Sequence, residues 1–310
     1  MKNILLATTV LAGFASAASA EVLFSGMGRF GVSYNNNVAA GVAKAQVSER
    51  FRVNIDGKTV TDGGVTFGGR VRLQSDAGNT GAQLSAGQLY ATANGLRLEV
   101  GNVNEALDSV ALFYDSEVGY IGNSAGEQGG FDSFSSGPYG PGDANRMGVF
   151  FGYSAGPLNA RVSYINHDQT VTKSALGTDK EISVSADYKF GQITVAAGAA
   201  KNSGGVKNAF NNFVGAAYAL SPDINVGLNY YNQGAPATKA ASLVTLYGNY
   251  TMGALTLRGY VTNTNATVKN QTVPGIGADY ALGGGVTLSG SIRPDFAGKT
   301  QADMGVKFNF

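Results

Sequence analysis

From residue 21 onward, apolar and polar residues alternate with a period of two, the pattern of β-strands that bury one face. In "VLFSGMGRFGVSY", Val22, Phe24, Phe30, Val32 and Tyr34 share one face, and Ser25, Met27, Arg29 and Ser33 share the other. In "VSERFRVNIDGK", Val47, Phe51, Val53 and Ile55 oppose Ser48, Arg50, Arg52, Asn54 and Asp56, with Glu49 as the exception. In "VTFGGRVRLQSD", Val65, Phe67, Val71 and Leu73 oppose Thr66, Arg70, Arg72 and Gln74. The same period runs through "QLYATA", "LRLEVGN", "MGVFFGYS", "LNARVSYIN", "EISVSADYKF", "ITVAAGAA", "NNFVGAAYAL", "INVGLNYYN", "SLVTLYGNYT", "LTLRGYVTN", "TVPGIGADYAL", "VTLSGSIRP" and "ADMGVKFNF", making sixteen candidate strands.

Their connections alternate as well. Short turns such as "TDGG" at 61–64, "NG" at 94–95, "AGP" at 155–157, "SPD" at 221–223 and "GG" near 284 are separated by longer polar stretches. A soluble β-sandwich would leave two sheet edges to be protected. Successive up-and-down strands with tight turns at one end and long loops at the other fit a closed membrane barrel better. In that setting the apolar face meets lipid, the polar face lines the interior, and closure satisfies every backbone group that hydrocarbon would leave unpaired. The predicted fold class is therefore all-β: a transmembrane, sixteen-stranded antiparallel β-barrel.

The first twenty residues, "MKNILLATTVLAGFASAASA", have the architecture of a cleaved secretory signal, with Lys2, an apolar run and small residues at Ala18 and Ala20. The run is too short for a membrane anchor helix. The domains expected are thus a signal peptide at 1–20 and a barrel at 21–310. Without Lys2 the chain carries 21 basic and 21 acidic residues, so it has no electrostatic footprint for nucleic acid. It has no cysteine, so disulfides and thiolate metal sites are excluded. The 45 glycines against 7 prolines, with 15 Tyr and 16 Phe, favour strands and turns.

One interval breaks the rhythm. Residues 104–145 contain Glu105, Asp108, Asp115, Glu117, Glu127, Asp132 and Asp143 and no Lys or Arg. A connection of this length is usually functional or disordered, and Leu112, Phe113, Tyr114, Tyr120 and Ile121 favour a loop that packs against something. The preceding strands carry the opposite sign on their polar faces, at Arg29, Arg50, Arg52, Arg70, Arg72 and Arg97. Folded inward, the acidic loop would narrow the lumen between a basic and an acidic rim. The alternatives are arginines that merely wet the lumen and a mobile surface loop.

The start "EVLFSGMGRFGVSYN", the arginine-rich second and third strands, the loop "EALDSVALFYDSEVGY" and the end "ADMGVKFNF" together resemble the general porins of Gram-negative outer membranes, most nearly those of purple photosynthetic bacteria. The resemblance spans the mature chain. It implies a homotrimer of water-filled pores for passive diffusion of ions and small polar solutes, set in outer-membrane lipid and lipopolysaccharide, with a third external loop folded into each lumen. By position it implies Arg29, Arg50, Arg52, Arg70, Arg72 and Arg97 on the basic side of the constriction, and Glu105, Asp108, Asp115 and Glu117 on the acidic side. It also implies that the terminal Phe310 is a signal to the outer-membrane assembly machinery. No cofactor is expected; acidic loops offer candidates for calcium, without a ligand spacing that defines a site. Trp, usual in the family's interface belts, is absent, leaving Tyr34, Tyr188, Tyr230, Tyr250 and Phe310 for the aromatic girdles.

Three other functions compete. An outer-membrane barrel hydrolase would need a base, and the single histidine, His167, reads as a solvated loop residue. A plugged structural barrel would have fewer strands. A substrate-selective channel is not distinguishable at this level.

Overall fold

The structure, a computed structural model, describes residues 20–79, 81–126, 132–140, 145–170, 179–234 and 241–310. The proposed leader, apart from Ala20, and the loop acids Glu127 and Asp143 lie outside the described residues.

The strands are β1 (Glu21–Asn35), β2 (Ala45–Val60), β3 (Thr66–Asp76), β4 (Gln83–Leu84), β5 (Gln88–Ala93), β6 (Leu96–Gly101), β7 (Met147–Ala155), β8 (Leu158–Asn166) and β9 (Glu181–Phe190). They continue as β10 (Ile193–Lys201), β11 (Phe210–Ala219), β12 (Ile224–Gly234), β13 (Ala241–Met252), β14 (Leu255–Thr264), β15 (Thr272–Gly283), β16 (Val286–Pro294) and β17 (Thr300–Asn309). Every pairing between them is antiparallel and, β4 apart, links neighbours in the chain until β17 returns to β1. β4 and β5 pair with successive parts of β3, Leu73 facing Leu84 and Gly69 facing Leu89, so they form one stave. The seventeen segments are thus a closed barrel of sixteen staves, as the alternation predicts.

Closure is made by the two ends of the sheet. β1 pairs with β17 from Met27 opposite Asn309 to Asn35 opposite Gln301. Gly26 N–H donates to the Phe310 carbonyl at 2.8 Å and Phe310 N–H donates to the Gly26 carbonyl at 3.1 Å. The Phe310 ring stacks on Phe51 with centroids 5.7 Å apart. No edge is left for another chain to extend, which is how a barrel solves the problem of unpaired backbone groups in hydrocarbon.

Tight turns lie at one end. At Asn94 and Gly95 both residues have positive φ, 49° and 81°, the geometry of a two-residue hairpin whose twist matches its strands. Exposure alternates along the staves, most regularly in β9, where Ile182, Val184 and Tyr188 point out and Glu181, Ser183, Ser185 and Asp187 point in. The outward set includes Phe24, Val47, Leu89 and Met304, each about two-thirds exposed or more. Such an apolar belt is stable only against lipid. Tyr34, Tyr188, Tyr230, Tyr250 and Phe310 also face outward.

The expectation that polar residues line the whole interior is corrected on one side. The lumen faces of β10 to β15 carry Ala196, Ala200, Phe213, Tyr231, Leu243, Tyr247, Tyr260 and Val273, all buried. They are buried because the segment between β6 and β7, the third long loop (L3), lies against them. Leu107, Val110, Leu112 and Phe113 of L3 pack on Phe213, Tyr231 and Leu243, while Val118 and Ala125 pack with Tyr247, Tyr260 and Val273. The Phe113 ring meets Phe213 and Tyr231 edge-on at 5.1 and 5.3 Å. At the root of the loop Val103 and Ala106 pack with Phe150 and Ile165. The main hydrophobic core of this molecule is thus inside the barrel, between loop and wall.

Candidate functional site

L3 is anchored to the wall by polar side chains that satisfy its backbone, a requirement for any buried non-helical segment. Ala106 and Leu107 N–H donate to Ser163 Oγ and Ser183 Oγ, each at 2.9 Å, and Ser185 Oγ donates to the Ala106 carbonyl at 2.6 Å. Asn229 Nδ2 donates to the Leu112 carbonyl at 2.7 Å. On the far side Tyr120 N–H donates to Asp303 Oδ1 at 2.8 Å, and Arg29 Nη1 donates to the Ile121 carbonyl at 2.5 Å. Asp303, on the lumen side of β17, is buried beneath the loop and also accepts from Ser291 Oγ at 2.5 Å.

What L3 leaves open is a cavity of about 690 Å³. Arg50, Arg52, Arg70, Arg72 and Arg97 form one side of it, and Asp108, Tyr114 and Glu117 of the loop line it as well. A second space of about 300 Å³ is lined by Arg29, Asp115, Arg258, Asp279 and Lys307, and it shares Tyr114 and Glu117 with the first. Strand pleating explains the basic wall, because Arg50 and Arg52, like Arg70 and Arg72, are two residues apart and so project to the same face. Register then sets one strand's arginines beside the next, with Arg29 directly opposite Arg50.

The same register places carboxylates within the wall. Arg50 Nε meets Asp76 Oδ1 at 2.5 Å, and Arg97 Nε meets Glu99 Oε1 at 2.5 Å. Arg70 grips Asp56 through two bonds, of 2.8 and 3.1 Å. Arg72 donates to Asn54 Oδ1 at 2.9 Å and Ser136 Oγ at 3.0 Å, with its guanidinium 4.4 Å over the Phe134 ring. Arg97 lies 4.2 Å over Tyr90. The wall is therefore less positive than its arginines alone suggest.

Of the ten charged residues assigned to the two rims, seven line the larger space: Arg50, Arg52, Arg70, Arg72, Arg97, Asp108 and Glu117. Arg29 and Asp115 line the smaller one. Glu105 joins neither and does not belong on the rim: it is fully buried behind L3. There it shares a pocket with Glu181, and burial first, then that neighbouring carboxylate, raises its pKa to about 10. Burial also raises Asp108 against a hydrogen bond from Tyr114, and raises Asp115 against the nearby Arg258.

Several lining residues lie outside the sequence assignment. Glu99 had a legible signal, since it alternates in phase with Arg97; Ser136 and Phe134 had none, because the course of L3 is set by tertiary contacts. His167 is corrected from a solvated residue to a buried one, with Nε2 2.9 Å from Asp132 Oδ2. Arg146 approaches the same aspartate at 3.4 Å. The pair closes the base of L3. Among the described residues no cluster of His, Asp or Glu is arranged to hold a metal ion.

A closed barrel with a lipid-compatible exterior and a charged aperture inside it defines a membrane diffusion channel. The profile of the Gram-negative porin family matches residues 7–307, and the chain belongs to that family. It is 41% identical to a porin of Fuscovulum blasticum over 94% of this chain and all of that one. It is 30% identical to a porin of Rhodobacter capsulatus at the same coverage. A solved structure of a substituted variant of the Rh. blastica porin superposes with a TM-score of 0.88 at 40% identity, covering 94% of this chain and all of that one. The protein is an outer-membrane porin, a channel.

Proposed function

We propose that the chain works as a homotrimer of pores, each passing ions and small hydrophilic solutes through the aperture between L3 and the arginine wall. The observation that carries this reading is the placement of Asp108 and Glu117 in one cavity with five arginines. Opposed charges in a narrow, partly screened space favour polar over apolar solutes and set an ion preference. Solutes cross without a chemical step and without a cofactor.

Export by the leader at 1–20 would deliver the mature chain, and Phe310 would mark it for the assembly machinery. The exposed belt, which includes Phe24, Val47 and Met304, suits lipid, lipopolysaccharide and neighbouring copies. Recording from the purified protein in planar bilayers tests the reading. Conductance steps that close in threes are expected; a chain that inserts but never conducts would overturn it.

A further inference from the structure

The wall arginines fall into two sets by partner. Arg50, Arg70 and Arg97 each meet a carboxylate at 2.8 Å or less. Arg52 and Arg72 meet neutral amides instead: Arg52 Nε donates to Gln74 Oε1 at 2.6 Å, and Arg72 Nε to Asn54 Oδ1 at 2.9 Å. Among the described residues, neither has a carboxylate within ion-pair distance.

Register brings these two together. Arg52 lies opposite Gln74 and Arg72 opposite Asn54, so the arginines are diagonal neighbours on one face of the β2–β3 pair. That diagonal is about 7–8 Å between backbones, well within the reach of two long side chains. Like charges so placed repel, and both line the larger cavity rather than spreading into separate spaces.

The guanidinium groups are also held in position. Each is held at Nε by its wall amide. Arg72 is further clamped by Ser136 and by the Phe134 ring of L3. Two guanidinium groups held in place, neither in a direct ion pair, match an oxyanion of charge −2, which arginine binds through its N–H donors. Such a ligand would relieve the repulsion.

We propose that Arg52 and Arg72 form a binding subsite in the aperture for inorganic phosphate. The inference rests on the channel reading. Asp108 and Glu117 line the same cavity and keep occupancy brief, so the subsite selects passing solutes without trapping them.

The test uses single-channel recording of the full-length mature protein in potassium chloride, titrated with inorganic phosphate. Wild-type channels should show a saturable, concentration-dependent block of chloride current. Arg52→Gln with Arg72→Gln should weaken that block at least about tenfold, the loss expected from charge-assisted hydrogen bonds. Arg52→Lys with Arg72→Lys, which keeps both charges, should weaken the block about threefold or more but less than the glutamine pair, because lysine lacks the fork. Open-channel current in chloride alone reports that each variant folds. Conducting wild-type channels without saturable block, or equal block in wild type and the glutamine variant, would overturn the subsite. Absence of current in every protein would instead overturn the channel reading.

Discussion

Tyr120 and Asp303 lie 183 positions apart, yet the backbone N–H of one donates to the carboxylate of the other at 2.8 Å. This bond ties the inward loop to the strand that closes the barrel. Asp303 is thereby an acceptor for L3 rather than a lumen residue bathed in water.

Asp303→Ala should therefore loosen the far side of L3. A hydrogen bond to a charged acceptor contributes about 1.5–3 kcal/mol, and its loss also leaves the Tyr120 N–H without this partner. The expected result is a lower unfolding midpoint and noisier open-channel current than wild type. Asp303→Asn, which keeps an acceptor oxygen, should lie between the two.

Glu105 gives stability a pH dependence of defined sign. Its pKa is raised from 4.5 to about 10, chiefly by burial and next by Glu181. Above the ordinary carboxylate range the unfolded chain has released a proton that the folded chain retains, so stability falls as pH rises until the folded chain also loses it. Glu105→Gln, which holds the protonated shape without the charge, should flatten part of that slope, the neighbouring Glu181 sharing the rest. Thermal unfolding midpoints at several pH values from acid to alkaline would check it; a slope unchanged in the variant would remove Glu105 as its source.

The seam is sensitive to volume. A methyl group added at Gly26 would sit 2.3 Å from the Arg52 carbonyl oxygen and 2.5 Å from the Phe310 ring. Gly26→Ala should destabilise the barrel by about 1–3 kcal/mol, the range for overpacking a tight contact. Gel mobility of unheated samples after graded warming would show the variant unfolding at lower temperature.

Arg70 and Arg72 separate selectivity from stability. Either residue changed to Gln removes one positive charge from the aperture, so both should shift the reversal potential toward cation preference by similar amounts. Their stability costs should differ. Arg70→Gln strands Asp56, which is 8% exposed, and leaving such a group without its partner costs about 1–3 kcal/mol or more. Arg72→Gln leaves only the neutral Asn54 and Ser136. Reversal potentials in a salt gradient, paired with unfolding midpoints, would show whether the two effects part.

Alternation alone determined the sixteen staves, because a period of two states which side chains share a face, and lipid outside enforces that pattern on almost every strand. The same rule made "ADMGVKFNF" legible as a strand with Met304 and Phe308 in phase, and it identified the arginine wall. It failed where both faces are apolar. In "NNFVGAAYAL" and "INVGLNYYN" the apolar Phe213 and Tyr231 turn inward to meet L3, a contact the period of two does not reveal.

Tertiary structure decided the rest. Periodicity assigns a residue to a face but not to a partner, so only register could pair Arg70 with Asp56 and leave Arg52 and Arg72 facing amides. The path of L3 likewise depends on contacts with strands up to 183 residues away, which is why Glu105 went behind the loop while Asp108 and Glu117 reached the pore. Burial of Leu107 and Phe113 against the far wall fixes that path, and the loop's charge only determines what the remaining aperture prefers.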